Sequence, residues 1–158
     1  MNKELVSSEE KGNMSALKEL VDVLTRYYLV VSAQQNDLLC NTQQEQRDVM
    51  AQIDRALSDL GVPDHLLGYR YLHFAISQAV KEPEAVYAMT NMLYPDVARR
   101  FGTTAQLVER AIRHAVESGW NRCDEEARQR YFGGKIRPGR LKPTNAEFIA
   151  RIANIVRQ

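Results

Sequence analysis

The side chains best suited to chemistry lie in residues 94–113, YPDVARRFGTTAQLVERAIR. The spacing of apolar residues predicts two helices joined by a tight turn at Gly102. At about 100° per residue, five polar side chains share one face of the second helix. An arginine there can donate two hydrogen bonds to guanine, and a glutamate can accept one from cytosine. This pattern predicts a helix-turn-helix that presents polar side chains to the major groove of double-stranded DNA. The five side chains are Gln106, Glu109, Arg110, Arg113 and Glu117.

The residues around the turn meet the steric needs of that motif. Ala98 is small where the two helices must cross, and Gly102 tolerates a positive φ. Thr103 and Gln106 have the spacing of a capping box that would start the second helix. An ordinary helical hairpin with a solvated charged face is the alternative. The apolar residues expected to fill the angle between the helices are Val97, Phe101, Val108 and Ile112.

The flanking sequence predicts further helices that would hold this motif. Gly61-Val62-Pro63 ends the preceding helical segment, and Pro95 opens the first helix of the motif. Thr144 and Glu147 form a second capping box before a final amphipathic helix. No alternation typical of strands is evident. The other predicted elements are a helix over 66–80, a short helix over 84–93, and a basic loop over 135–143.

The N-terminal segment carries a heptad-like pattern of apolar residues. Leu17, Leu20, Leu24, Tyr27 and Val31 follow the 3-4 spacing. Gln34 interrupts this spacing, Leu38 resumes it, and residues 40–47 have no apolar stripe. The segment is therefore two helices or one long helix with a polar middle. It packs against the rest of its own chain, or it is a dimerisation element.

Composition and charge limit the function classes. The 158 residues are 44% hydrophobic and 26% charged, with a net charge of +1. Residues 61–158 hold 15 Lys and Arg against 10 Asp and Glu, a net charge of +5, whereas residues 1–60 hold 6 against 10, a net charge of −4. This asymmetry favours contact with nucleic acid through the second part of the chain.

Patterns typical of enzymes, metal sites and membrane proteins are missing from the sequence. Cys40 and Cys123 are too few for a disulfide framework or a zinc site, so we expect free thiols in a reducing cytoplasm. The three histidines are scattered, and no catalytic arrangement is evident. Neither a membrane span nor a signal peptide is indicated. We expect a cytoplasmic protein that is not an enzyme and that needs no cofactor or metal.

Three segments carry a resemblance to a known family. They are LGVPDHLLGYRYLHFAI (60–76), MLYPDVARRFGTTAQLVERAIRHAVESGW (92–120) and KPTNAEFIARIA (142–153). In this order and spacing they resemble the DNA-binding effector domain of the master sporulation response regulator, the stage zero sporulation factor A of endospore-forming bacteria. The resemblance implies an all-α, six-helix effector domain over residues 58–158, preceded by an N-terminal helical extension over residues 1–57.

The resemblance also implies which residues meet DNA. Glu109, Arg110, Arg113 and His114 match recognition-helix positions of the family, which binds DNA as a homodimer. Thr103, Thr104 and Arg113 are suited to phosphates, as are the loop residues. The loop residues are Arg137, Arg140 and Lys142, and the complete candidate set is Thr103, Thr104, Gln106, Leu107, Glu109, Arg110, Arg113, His114, Arg140 and Lys142.

The chain departs from the family pattern in two places. Where the family usually has an arginine that contacts a base, this chain has Leu107, which predicts altered or relaxed specificity at one base position. Residues 1–57 are too short for the family's phosphorylated receiver domain and show no alternating α/β pattern, so we expect control by phosphorylation to be missing. Residues 123–132 lie where the family contacts the RNA polymerase sigma factor, a further expected partner.

Two functions from different classes follow. The first is a sequence-specific DNA-binding transcription regulator without receiver control. The second is a non-enzymatic adaptor or antagonist that binds a protein partner through its N-terminal helices.

Overall fold

The computed structural model describes residues 2–133 and 142–158, with side chains from Asn13 onward. Within these ranges it contains six α-helices and no strand, which confirms the all-α prediction. Arg137 and Arg140 of the predicted basic loop lie outside the described residues. The helices are α1 (Asn2–Asp59), α2 (Leu67–Lys81), α3 (Tyr94–Phe101), α4 (Ala105–Arg122), α5 (Glu125–Phe132) and α6 (Asn145–Val156).

The N-terminal segment is one helix rather than two. Helix α1 begins at Asn2, earlier than the start near Met14 that the apolar pattern indicates, and it continues through the polar residues 40–47. Glutamine, glutamate and arginine favour helical backbone even where no apolar stripe is present. No helix in the described part of the chain is both long enough and apolar enough to cross a membrane.

The chain divides into two compact units, Met1–Glu45 and Gln46–Gln158. The boundary lies earlier than the one expected after residue 57. The reason is burial: Ile53, Leu57 and Leu60 are completely buried in the core of the second unit. The last turns of α1 are therefore part of the same fold as α2 to α6.

Glycines set the closest approaches around α4. A Cβ built on Gly68 of α2 would lie 2.0 Å from the carbonyl oxygen of Ala111 in α4. A Cβ on Gly119, near the end of α4, would lie 2.8 Å from the carbonyl oxygen of Leu60. Neither position can hold a side chain without a backbone shift. Two contacts that only glycine permits thus fix where α4 lies against the rest of the second unit.

The segment before α3 differs from the single short helix predicted over 84–93. It consists of a 3₁₀ turn, Pro83–Val86, and a π-helical turn, Met89–Leu93. Ala85, Met89 and Leu93 point into the core at four-residue intervals. Apolar spacing alone does not distinguish this irregular backbone from an α-helix, because both place such residues on one side.

Polar caps fix the ends of α5 and α6. The Asp124 carboxylate accepts a hydrogen bond from the Ala127 amide at 2.7 Å and starts α5. The predicted capping box of Thr144 and Glu147 is confirmed at the start of α6. Gly133, with φ of 49°, ends α5.

Two tyrosines join the end of α1 to the remainder of the second unit. The Tyr131 hydroxyl of α5 donates to the Asp59 carboxylate at 2.8 Å. The Tyr69 hydroxyl of α2 donates to the Asp54 carboxylate, also at 2.8 Å. These bonds hold the last two turns of α1 through polar contacts as well as through apolar burial.

Candidate DNA-binding surface

The turn between α3 and α4 has the backbone that a helix-turn-helix requires. Gly102 adopts φ of 66° and ψ of 40°, as its predicted role demands. The Thr103 amide reaches back to the Ala98 carbonyl at 3.0 Å and closes the end of α3. A Cβ on Gly102 would meet no atom within 4 Å, so the backbone angle alone makes glycine the suitable residue.

Helix α4 starts one residue later than the capping box predicts. Thr104, not Thr103, is the N-cap, and its hydroxyl accepts a hydrogen bond from the Leu107 amide at 3.3 Å. The predicted box of Thr103 with Gln106 is wrong by one residue because Gly102 and Thr103 both complete the end of α3.

The inner face of α4 is fixed in the core. Val108, Ile112 and Ala115 are completely buried, and Val97 of α3 is buried with them. Ala98 is buried too, as expected where the helices cross. Phe101 is only partly buried, and its ring centroid lies 5.0 Å from that of Tyr71. Because one face of α4 is buried in the core, the helix cannot rotate about its axis, and its opposite face always points to solvent.

The outer face of α4 presents the predicted site residues to solvent. Leu107 is 51% exposed, and Gln106, Arg110 and His114 are also exposed. Arg110 lies with Leu107 and His114 around one shallow depression. Glu109 sits at the edge of this surface, since its side chain is only 29% exposed. We call the set Gln106, Leu107, Arg110, Arg113 and His114 the recognition face.

One cation of this face and one beside it are paired within the protein. The Arg113 guanidinium contacts the Glu109 carboxylate one turn earlier on α4. The Lys142 ammonium donates to the Glu117 carboxylate at 2.5 Å, and this hydrogen bond lowers the pKa of Glu117. A carboxylate on α4 thus neutralises part of the charge of each cation. Arg110, by contrast, forms no ion pair with any described residue.

A partly buried polar contact links α4 to the start of α6. The Asn145 amide at the start of α6 donates to the Glu109 carbonyl at 3.2 Å and to the Tyr94 hydroxyl at 3.1 Å. Burial raises the pKa of Tyr94. Sequence patterns did not single out Asn145, because its partner on α4 is 36 residues away along the chain.

The geometry brings most of the predicted residues to one surface. Thr104 supplies the start of α4, and Thr103 serves the turn through its backbone. Lys142 lies beside α4 through Glu117, and Arg140 is outside the described residues. In the described ranges, no group of three or more His, Cys, Asp or Glu could hold a metal ion.

A comparison with known families agrees with this arrangement. Residues 53–156 match the family described as "Sporulation initiation factor Spo0A C terminal". The match covers more than half of the chain and begins within the last turns of α1, where the buried part of the helix starts. It includes all of α2 to α6. The chain therefore belongs to the family of Spo0A C-terminal domains, which are DNA-binding effector domains of sporulation regulators and not a family of enzymes.

Proposed function

We propose that this protein binds double-stranded DNA in a sequence-specific manner through the recognition face of α4 and thereby regulates transcription. The observation that carries the proposal is the placement of Arg110. It is exposed in the second turn of a helix whose opposite face is buried, in a chain of a DNA-binding family. Such a rigidly held helix can enter a major groove without rearrangement.

Several side chains on and beside the recognition face have a role that suits their chemistry. Arg110 donates two hydrogen bonds to guanine O6 and N7, and Leu107 packs against a thymine methyl group. Thr104 and the first amides of α4 suit a phosphate at the helix N-terminus. Arg113 and Lys142 reach phosphates after leaving Glu109 and Glu117.

The proposal includes two protein contacts. The protein binds DNA as a homodimer, and α5 contacts the RNA polymerase sigma factor. Exposed polar residues on α5, among them Glu125 and Gln129, provide a surface for the second contact. With DNA as its target, the protein acts in the cytoplasm. Residues 2–59 form a single helix and contain none of the strands that a receiver domain needs.

One observation favours a second function. Helix α1 exposes large apolar side chains, including Leu17, Leu24 and Tyr28, in the first unit. An adaptor or antagonist would bind a protein partner there and would not need the recognition face.

The test replaces Arg110 with alanine and measures binding to a selected duplex by fluorescence anisotropy. We expect Arg110→Ala to weaken specific binding by roughly 10- to 100-fold, since one bidentate base contact is worth about 1–3 kcal/mol. Arg122→Ala removes the same charge at the far end of α4 and is the matched control. It should change the affinity by less than about threefold.

Salt dependence separates the two functions. Binding to DNA should weaken steeply as salt rises from 50 to 200 mM, because phosphate contacts release counterions. If the protein shows no saturable, salt-dependent binding to any duplex from a random pool, the DNA proposal fails and the adaptor function stands.

A further inference from the structure

The first unit carries an apolar surface that the DNA-binding proposal does not use. On α1, side chains within an arc of about 120° between residues 17 and 39 are apolar or uncharged. Eight of them are large apolar residues, each between 55% and 70% exposed. We call these eight the α1 stripe: Leu17, Leu20, Val21, Leu24, Tyr27, Tyr28, Leu38 and Leu39.

Charge on the same segment is strictly separated from the stripe. All five charged residues between 13 and 44 fall within an arc of about 100° centred on the opposite side of the helix. The occupant of the stripe therefore needs no charged groups, and its apolar residues must repeat at the same 3-4 spacing. These five residues are Lys18, Glu19, Asp22, Arg26 and Asp37.

The size of the stripe matches that of a stable interface. Eight large side chains at these exposures present on the order of 1,000 Å² on one helix, and stable interfaces bury about 800 Å² per partner. An exposed apolar surface this large marks an association site.

We propose that the α1 stripe is covered by the same stripe of a second copy of this chain, with the two helices parallel and in register. The heptad spacing identifies the occupant as a helix of equal period. Gln34 favours a second copy of this chain as that helix, because Gln34 interrupts the stripe at a core position of the heptad. In a parallel pair two Gln34 amides face each other, and each can donate to and accept from the other.

The proposal is independent of DNA binding and is tested on the full chain without DNA. Sedimentation equilibrium should give at least twice the mass of one chain at micromolar concentration. Leu24→Glu places a charge at the centre of the stripe and should raise the dissociation constant more than about tenfold. Ala33→Glu adds the same charge on the opposite side of the same helix and should leave the mass unchanged. A monomer in the unaltered chain overturns the proposal, as does equal behaviour of the two variants.

Folding of the variants is monitored separately. Trp120 is the single tryptophan and is buried in the second unit, so its emission reports on that unit alone. Both variants should keep the emission maximum of the unaltered protein, which excludes unfolding of the second unit as the cause of a changed mass.

Orientation is tested by cross-linking in a Cys40→Ser background. Gln34→Cys should form a disulfide between copies under mild oxidation, because facing positions bring the two Cα atoms within about 7 Å. Asn36→Cys lies on the outer side of the helix and should not cross-link. An oligomer that cross-links at position 36 but not at 34 overturns the parallel, in-register arrangement.

Discussion

Leu107 is the residue of the recognition face at which we expect this chain to differ from its family in base preference. It is half-exposed beside Arg110 and His114, at a position where the sequence leads us to expect a departure from the family's base-contacting residue. Leucine offers dispersion contacts but no hydrogen-bond donor. One base position of the DNA site should therefore be chosen by contact with a methyl group or not chosen at all.

Replacing Leu107 with arginine should restore a preference for guanine at that position. Selection of bound duplexes from a random pool, followed by sequencing, measures the change. We expect the Leu107→Arg variant to favour guanine by about 10-fold or more at one position, in keeping with about 1–3 kcal/mol per bidentate contact. The other positions of the consensus should remain the same, and an unchanged preference at every position would contradict the assignment.

Much of this site could be predicted from side-chain types and helical spacing. Arg110 and Gln106 lie on the outer face, and Val108 and Ile112 are buried, because a helix fixes these directions by periodicity alone. The pairing of Arg113 with Glu109 follows the usual i, i+4 geometry. The role of Asn145 could not be predicted, because it depends on the packing of the first turn of α6 against α3 and α4.

At the scale of the elements, the turn at Gly102 joins α3 to α4. A side chain at this position would meet no other atom. It would be unfavourable only because of the left-handed backbone angles. Gly102→Ala should lower the free energy of unfolding by about 1–2 kcal/mol, the usual cost of this conformation for a residue with a Cβ. Urea unfolding followed by circular dichroism provides the measurement.

Asparagine at the same position is the matched comparison. Asn tolerates the left-handed region better than other residues with a Cβ. Gly102→Asn should therefore be less destabilising than Gly102→Ala, although its side chain is larger. The opposite order would show that steric contact, not backbone angle, decides this position.

Element types could be predicted more reliably than element boundaries. The spacing of apolar residues predicts α2, α4 and α6. It cannot decide whether Thr103 or Thr104 caps α4, because the two residues are chemically alike. Gly68 was not singled out, since its partner Ala111 is more than forty residues away and a close approach of helices leaves no local pattern. Contacts between elements are the part of the fold that local sequence does not encode.

For the second unit as a whole, hydrogen bonds from tyrosines make stability sensitive to alkaline pH. Burial, together with the hydrogen bond to Asp59, raises the pKa of Tyr131 to about 12. Burial, together with the hydrogen bond to Asp54, also raises the pKa of Tyr69 to about 12. The pKa of a tyrosine in the unfolded chain is near 10, so the folded state holds these protons to a higher pH than the unfolded state does. Their contribution is fully present below pH 10 and is lost as the pH rises through 12.

Tyr131→Phe should remove this contribution. We expect a loss of about 1.5 kcal/mol at pH 7, typical of a partly exposed hydrogen bond to a carboxylate. The variant should also lose less stability than the unaltered protein between pH 9 and pH 11. Tyr87→Phe, at a tyrosine that is 92% exposed, is the control and should change neither quantity. Urea unfolding across this pH range measures both, and parallel pH curves for Tyr131→Phe and the unaltered protein would contradict the prediction.

The two internal ion pairs beside the recognition face bear on how such a protein would search a genome. Arg113 and Lys142 are held by Glu109 and Glu117, which neutralise part of the positive charge that the two cations would offer to a duplex. Random DNA offers only phosphates in exchange, whereas a target site adds base contacts to Arg110. Because the pairs weaken binding equally at every site, the base contacts of Arg110 carry the preference for a target, and weaker binding to random DNA leaves a larger share of the molecules free to diffuse.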